Sequence, residues 1–158
     1  MDLFTRKTAT TTKSVNPLER HDPFARHQMP LLELQHTHKK GKPVTIVVNL
    51  TEISESLKTN EGYLMEFFKL SLSTSKKDNI LSGTWQVKEL EIALDEFVVE
   101  FIQCKKCKTV CEIEWEVRSN KRVRQRCKAC GHTTSSLQKS INKRTTKVIA
   151  MIASAHLV

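Results

Sequence analysis

Two C-x2-C pairs, Cys104-Lys105-Lys106-Cys107 and Cys127-Lys128-Ala129-Cys130, stand 19 residues apart and restrict the fold more tightly than any other feature of the chain. A tetrahedral Zn²⁺ takes four thiolates from two tight turns, and this spacing lets two knuckles meet over one ion. Gly131 follows the second pair, where glycine enters a positive-φ turn without a steric penalty. Between the pairs, Val110 to Val117 alternates as a strand does, and Ser119-Asn120 supplies a polar turn. Arg122, Arg124 and Arg126 then return on alternate positions and share one strand face. The pattern predicts a zinc ribbon in which Cys104, Cys107, Cys127 and Cys130 hold one structural Zn²⁺. Such an ion contributes on the order of 10 kcal/mol to the folding of a module too small to stand alone. Four thiolates leave no position for a water, so a catalytic zinc is disfavoured. A disulfide framework is the competing reading. The odd count of five cysteines and the lack of a hydrophobic signal segment at the N-terminus weigh against it. Cys111 is expected to be a free thiol, the alternative being a shifted Cys107/Cys111 pair.

Charge is distributed unevenly around this module. Residues 1–43 carry eight basic and four acidic residues, and 44–103 carry five and ten. Residues 104–130 carry nine and three, and 131–158 carry four and none. The net charge of +9 therefore lies outside an acidic centre, which suggests contact with a polyanion through the ends. Arg122, Arg124 and Arg126, with Lys121 and Lys128, form the expected phosphate-contacting edge of the ribbon. Trp115 is expected to pack within the ribbon rather than stack on a base. The longest apolar run, Val148–Ala153, is far below the roughly 20 residues of a membrane span. A soluble intracellular protein with a basic face is expected.

Along the chain, residues 1–20 show no apolar period and read as a disordered tail. Residues 21–43 read as an extended arm followed by a basic loop that contains Lys39, Lys40 and Lys42. Val44–Leu50 is β-branched and short, as a buried strand would be. Thr51 is a candidate cap for a short helix carrying Ile53 and Leu57, and Thr59 or Asn60 for a second carrying Leu64, Phe67 and Phe68. Leu70–Thr74 and Ile80–Ser82 suggest a hairpin. Thr84 opens a helix whose stripe is Val87, Leu90, Leu94, Phe97, Val98 and Phe101. The expected product is an α+β domain over 44–103, a zinc ribbon over 104–137 and a C-terminal segment over 138–158.

The order of the parts is more specific than any one of them. HDPFARHQMP (His21–Pro30), the basic loop, VTIVVNLTEISESL (Val44–Leu57), LSGTW, LDEFVVEFIQC (Leu94–Cys104) and CKACGH (Cys127–His132) follow one another. This series resembles the N-terminal half of the eukaryotic translation initiation factor five family and, more distantly, the beta subunit of initiation factor two. The resemblance covers about residues 21–150. It implies a small α/β domain like initiation factor one, followed by a C4 zinc ribbon. It also implies a GTPase-activating role toward initiation factor two, on GTP held by the gamma subunit in the 43S/48S preinitiation complex. The family's activating arginine falls on Arg26, an arginine finger supplied in trans. A guanidinium delivered in this way is worth roughly 10³–10⁵ in rate.

The implied partners are initiation factor two, initiator methionyl-tRNA and the 40S ribosomal subunit with mRNA, with RNA contacts at Lys39, Lys40 and Lys42 and on the ribbon. A cytoplasmic factor without membrane contact, monomeric alone and not an enzyme in its own right, follows from the same resemblance. An alternative is a non-catalytic ribosome- or tRNA-binding module. A third is an unrelated nucleic-acid-binding ribbon. Departures from the family pattern are Ala25, His27 and Gln28 around the arginine, His38–Pro43 in place of a Gly-rich loop, Glu66 for a helix lysine, and Lys108 for a small turn residue. The family continues into a C-terminal HEAT-type domain where this chain ends at Val158. The family's contacts to the beta subunit and to factor three are expected to be missing or weak.

Overall fold

The computed structural model describes residues 12–20, 22, 25–110, 113–117 and 123–134. The expectations for residues 1–11, Cys111, Lys121, Arg122 and the C-terminal segment lie outside these residues.

The β-branched run at Val44 forms the centre of the main sheet. After two short N-terminal strands, β3 (Leu34–Lys39), β4 (Lys42–Val47), β6 (Ile80–Ser82) and β5 (Lys76–Lys77) pair antiparallel in that spatial order. β4 buries Val44, Thr45 and Val47. α1 (Leu50–Ser56), α2 (Glu61–Leu72) and α3 (Val87–Phe97) supply the other apolar faces. Leu50, Ile53, Leu64, Phe67, Phe68, Leu81, Leu90, Leu94 and Phe97 share one core with Val47. α3 continues into a π turn over Val98–Ile102, which swings Phe101 inward. Its ring lies edge-on to Phe67 at 6.0 Å and beside Phe97 at 5.0 Å. Aromatic pairs at these separations contribute about 0.5–1.5 kcal/mol beyond the area they bury. The mixed α+β class read from the sequence is therefore present.

Several local expectations change. Asn49, not Thr51, occupies the N-cap of α1. Its amide is drawn away to the Leu31 carbonyl (2.7 Å) and the Glu33 N–H (3.0 Å), which fixes the entry into β3. Asn60 does cap α2, accepting from the Gly62 N–H at 2.7 Å. Leu70–Leu72 extends that helix instead of forming a strand, because the 3.6-residue period of Leu64, Phe67 and Phe68 carries on to Ser73, whose φ of +51° ends it. The hairpin that follows turns at Asp78-Asn79. α3 begins at Val87, not Thr84. Glu89 Oε2 accepts from the Gln86 N–H at 3.0 Å, while the Trp85 N–H is bound to Thr45 Oγ1 at 3.0 Å and so extends the chain across β4. Val87 itself lies outside the apolar stripe and is exposed.

The largest change concerns the stretch before Val44. Residues 12–20, expected to be part of a disordered tail, are ordered. β1 (Thr12–Ser14) pairs antiparallel with β2 (Gln28–Pro30), and a 3-10 turn follows at Pro17–Glu19. Val15 and Met29 are fully buried. Lys13 Nζ lies 3.6 Å from Glu91 Oε1, and Arg20 Nη2 lies 2.8 Å from Asp95 Oδ1. Burial pushes the Lys13 amine below its ordinary pKa despite Glu91. One apolar residue among polar ones has no period to read, so only the tertiary fold could show that Val15 is a core residue. The basic loop is also strand. β3 and β4 form a hairpin closed by Lys40-Gly41 with φ +52° and +78°, the signs of a type I′ turn. Both faces of its outer half are exposed, which removes the alternation that would have marked β3.

Candidate metal centre and basic surfaces

The ribbon begins where α3's continuation ends. A bridge between Gln103 and Val110 closes the first knuckle, and β7 (Ile113–Val117), β8 (Val123–Cys127) and β9 (Thr133–Thr134) form a three-stranded antiparallel sheet. The two C-x2-C turns repeat one hydrogen-bond pattern. The Cys104 N–H donates to the Thr109 carbonyl (2.9 Å) and the Lys108 N–H to the Cys104 carbonyl (3.1 Å). At the second knuckle the Cys127 N–H donates to the His132 carbonyl (2.9 Å) and the Gly131 N–H to the Cys127 carbonyl (2.8 Å). Lys108 and Gly131 occupy the same position, with φ of +63° and +78°. Gly131 thus behaves as its sequence position suggests, while Lys108 adopts the same turn with a Cβ.

All four sulfurs converge within 4.8 Å. Cys104 Sγ lies 3.6 Å from Cys130 Sγ, and Cys107 Sγ lies 3.6 Å from Cys127 Sγ. A tetrahedron of Zn–S bonds of ~2.3 Å has S···S edges of roughly 3.8 Å, so the donors are already near their bound positions. The Lys106 and Cys107 N–H groups point at Cys104 Sγ (3.4 and 3.5 Å), as a thiolate requires. Cys104 and Cys127 are buried, and Cys107 and Cys130 are exposed. Hydrogen bonds from the Thr109 side chain and backbone hold the Cys107 thiol down to about 6, whereas burial pushes Cys127 up to about 12. The cluster fits one structural Zn²⁺.

Seating of the ribbon on the domain depends on residues that sequence patterns passed over. Gln125, buried in β8, donates from Nε2 to the Phe101 carbonyl (3.1 Å), and Trp115 stacks at 6.0 Å from the Phe101 ring. Trp115 is therefore a packing residue. Gln103 and Asn16 are also buried, and their amides bond each other at 2.9 Å. In a sequence, an isolated amide reads as surface, and no spacing signal distinguishes these three.

The expected RNA-contacting residues divide into two groups. In the ribbon, register pairs Glu114 with Arg126 and Glu116 with Arg124, and Lys128 Nζ lies 3.8 Å from Glu114 Oε1. The described part of the arginine stripe thus runs beside an acidic ladder and does not stand alone. Lys39, Lys40 and Lys42 instead sit together at the exposed tip of the β3–β4 hairpin, and no ion pair among the described residues occupies them. Glu66 is buried in α2 with Lys69 Nζ at 3.6 Å. Arg26 is exposed, far from both basic groups in sequence, on the loop that leads into β2. It is not on a free arm. Ala25 is buried, its carbonyl accepts from Gln28 Nε2 (2.9 Å), and the His27 carbonyl accepts from the Val15 N–H (2.9 Å).

A four-stranded antiparallel sheet with three helices, joined to a three-stranded ribbon with a four-cysteine cluster, defines an α+β protein of the zinc-ribbon class. The family model for a domain found in translation initiation factors 2B and 5 matches residues 17–133, and the chain belongs to that family. The match coincides closely with the described residues. Eukaryotic translation initiation factor 5 of Saccharomyces cerevisiae is 29% identical over 122 residues, covering 73% of this chain and 30% of the relative. The Caenorhabditis elegans factor is 31% identical over 116 residues (70% and 26%), and that of Mus musculus 28% over 118 (70% and 27%). The chain spans about a quarter to a third of the length of these curated relatives. Among the described residues no helix is long and apolar enough to cross a membrane.

Proposed function

We propose that the chain acts in translation initiation as a GTPase activator for initiation factor two, with Arg26 as the residue supplied in trans to GTP on the gamma subunit. The supporting observation is the placement of Arg26: its side chain is exposed, while Ala25 and the His27 carbonyl on either side are anchored. A guanidinium held this way enters a partner's site with less backbone freedom to lose than one on a mobile arm. Its charge offsets the negative charge that develops between the β- and γ-phosphates during hydrolysis. One Zn²⁺ held by Cys104, Cys107, Cys127 and Cys130 cross-links the ribbon and takes no part in this chemistry. The setting is cytoplasmic, with initiator methionyl-tRNA and the 40S subunit as further partners.

Single-turnover GTP hydrolysis by the initiation factor two ternary complex on 40S subunits tests the proposal. Arg26→Ala is expected to lower the stimulated rate by roughly 10³-fold. Equal rates for the variant and the unaltered chain would overturn the activator role. A second reading, a tRNA- or ribosome-binding module without activation, is favoured by the three exposed lysines at the hairpin tip. Under that reading Arg26→Ala is silent, whereas reversing Lys39, Lys40 and Lys42 to Glu weakens 40S or tRNA binding and flattens its salt dependence.

A further inference from the structure

Asn16 lies 92 residues before the carbonyl its side chain binds, and its side chain is at the meeting point of three parts of the molecule. Asn16 Nδ2 donates to the Lys108 carbonyl at 2.8 Å, directly after the first cysteine pair. Its Oδ1 accepts from Gln103 Nε2 at 2.9 Å, directly before that pair, and from the Leu18 N–H at 3.1 Å. Asn16 and Gln103 are 3% and 5% exposed, so water cannot replace these partners without opening the site. The residue before it, Val15, is fully buried and donates its N–H to the His27 carbonyl at 2.9 Å, one residue beyond Arg26.

The position of the Lys108 carbonyl is itself a product of the knuckle. Lys108 is held at φ +63° by the bond from its N–H to the Cys104 carbonyl, a conformation uncommon for a non-glycine residue. A closed first knuckle therefore presents an acceptor to Asn16, and Asn16 in turn fixes the end of β1, whose next residue, Val15, holds the loop of Arg26 through the His27 carbonyl.

We infer that Asn16 is a positioning residue that anchors the Arg26 loop to the first cysteine knuckle, so that an intact metal cluster is required for Arg26 to be presented. The inference rests on the reading of Arg26 as the activating residue. It assigns the ribbon a role beyond its own folding. An asparagine is required because the site needs a donor toward Lys108 and an acceptor toward Leu18 and Gln103 from one short side chain.

Hydrogen exchange on the full zinc-loaded chain, read at the Val15 amide, tests the anchor without reference to activity. Asn16→Asp keeps an acceptor for Leu18 and Gln103 but sets a carboxylate oxygen against the Lys108 carbonyl, so that the bond to the knuckle is replaced by repulsion. It is expected to lower Val15 protection by about tenfold, at unchanged zinc content, with core amides of α3 unaffected. Asn16→Ala is the second variant and should give at least the same loss. Removing zinc from the unaltered chain with a chelator should reproduce the loss at Val15 and add little in Asn16→Asp. Val15 protection that survives either Asn16→Asp or chelation overturns the anchor. In the GTP hydrolysis assay, Asn16→Asp should lower the maximal stimulated rate by about tenfold and approach Arg26→Ala in its non-additivity with that change. Lost protection with an unchanged rate, in a system where Arg26→Ala is slow, overturns the positioning role. If Arg26→Ala is itself silent, the activator reading fails, and the exchange measurements still decide the anchor.

Discussion

Phe67, Phe97 and Phe101 close the α+β domain around a continuous apolar core; from the ribbon, Val110 reaches that core, whereas Ile113 and Trp115 are only half-buried. In the ribbon the convergent groups are four sulfurs within 4.8 Å. One half of the molecule is held by removing hydrocarbon from water, and the other carries on two turns a sulfur cluster that fits a coordinating metal. The two halves also meet differently from how each is built, through a tryptophan on a phenylalanine and three buried amides, Asn16, Gln103 and Gln125. A region held by a metal fails when ligands are lost, and one held by burial fails when volume is lost.

Metal removal should separate the halves most sharply. Chelation, or Cys127→Ser, is expected to abolish the order of β7, β8 and β9, a loss on the order of 10 kcal/mol of binding energy, while α1, α2 and α3 still unfold cooperatively. Amide exchange resolved by residue would show this, and loss of protection throughout α3 would break the comparison. Acid should act in the same direction. Burial raises the pKa of the Cys127 thiol, so binding zinc there displaces a proton. Affinity should then rise about tenfold or more per pH unit across neutrality, measurable by competition with a coloured chelator.

Truncating Phe101 attacks the other half at the point where both meet. Phe101→Ala should cost about 3–5 kcal/mol of domain stability, since the ring packs on Phe67 and Phe97. Trp115 loses its neighbour, so its fluorescence should shift to the red at unchanged zinc content. A stability loss below about 1 kcal/mol would show that the aromatic cluster is not what holds the domain.

The smallest effect compares the knuckles with each other. Lys108 carries a Cβ at φ +63°, where Gly131 carries none at +78°. Lys108→Gly should therefore stabilise the zinc-loaded ribbon by up to about 1 kcal/mol, visible as a higher denaturant midpoint. A loss of stability would mean that the lysine side chain contributes more than its turn costs.

Legibility followed the same division. The ligand set needed no tertiary knowledge, because C-x2-C turns impose their own geometry and the four sulfurs only had to be brought together. Helical stripes such as Leu90, Leu94, Phe97 and Phe101 were readable because burial on one face leaves a period in the chain. The N-terminal strand pair left no period. Its order comes from single contacts, Val15 and Met29 in the core, Lys13 on Glu91 and Arg20 on Asp95. The arginine stripe of the ribbon was legible as a stripe, but the acidic residues of β7 became its neighbours only through the register of the strands.

Sequence alone determined the cysteine cluster, the α+β class and the family resemblance, because each is a local spacing or an ordered series of short segments. Tertiary structure decided that Arg26 sits on an anchored loop, that Lys39, Lys40 and Lys42 crown a hairpin, and that Asn16 reaches the first knuckle. Those facts depend on contacts between residues up to 92 positions apart, and a hydrogen bond across such a distance leaves no periodic trace in the chain that makes it.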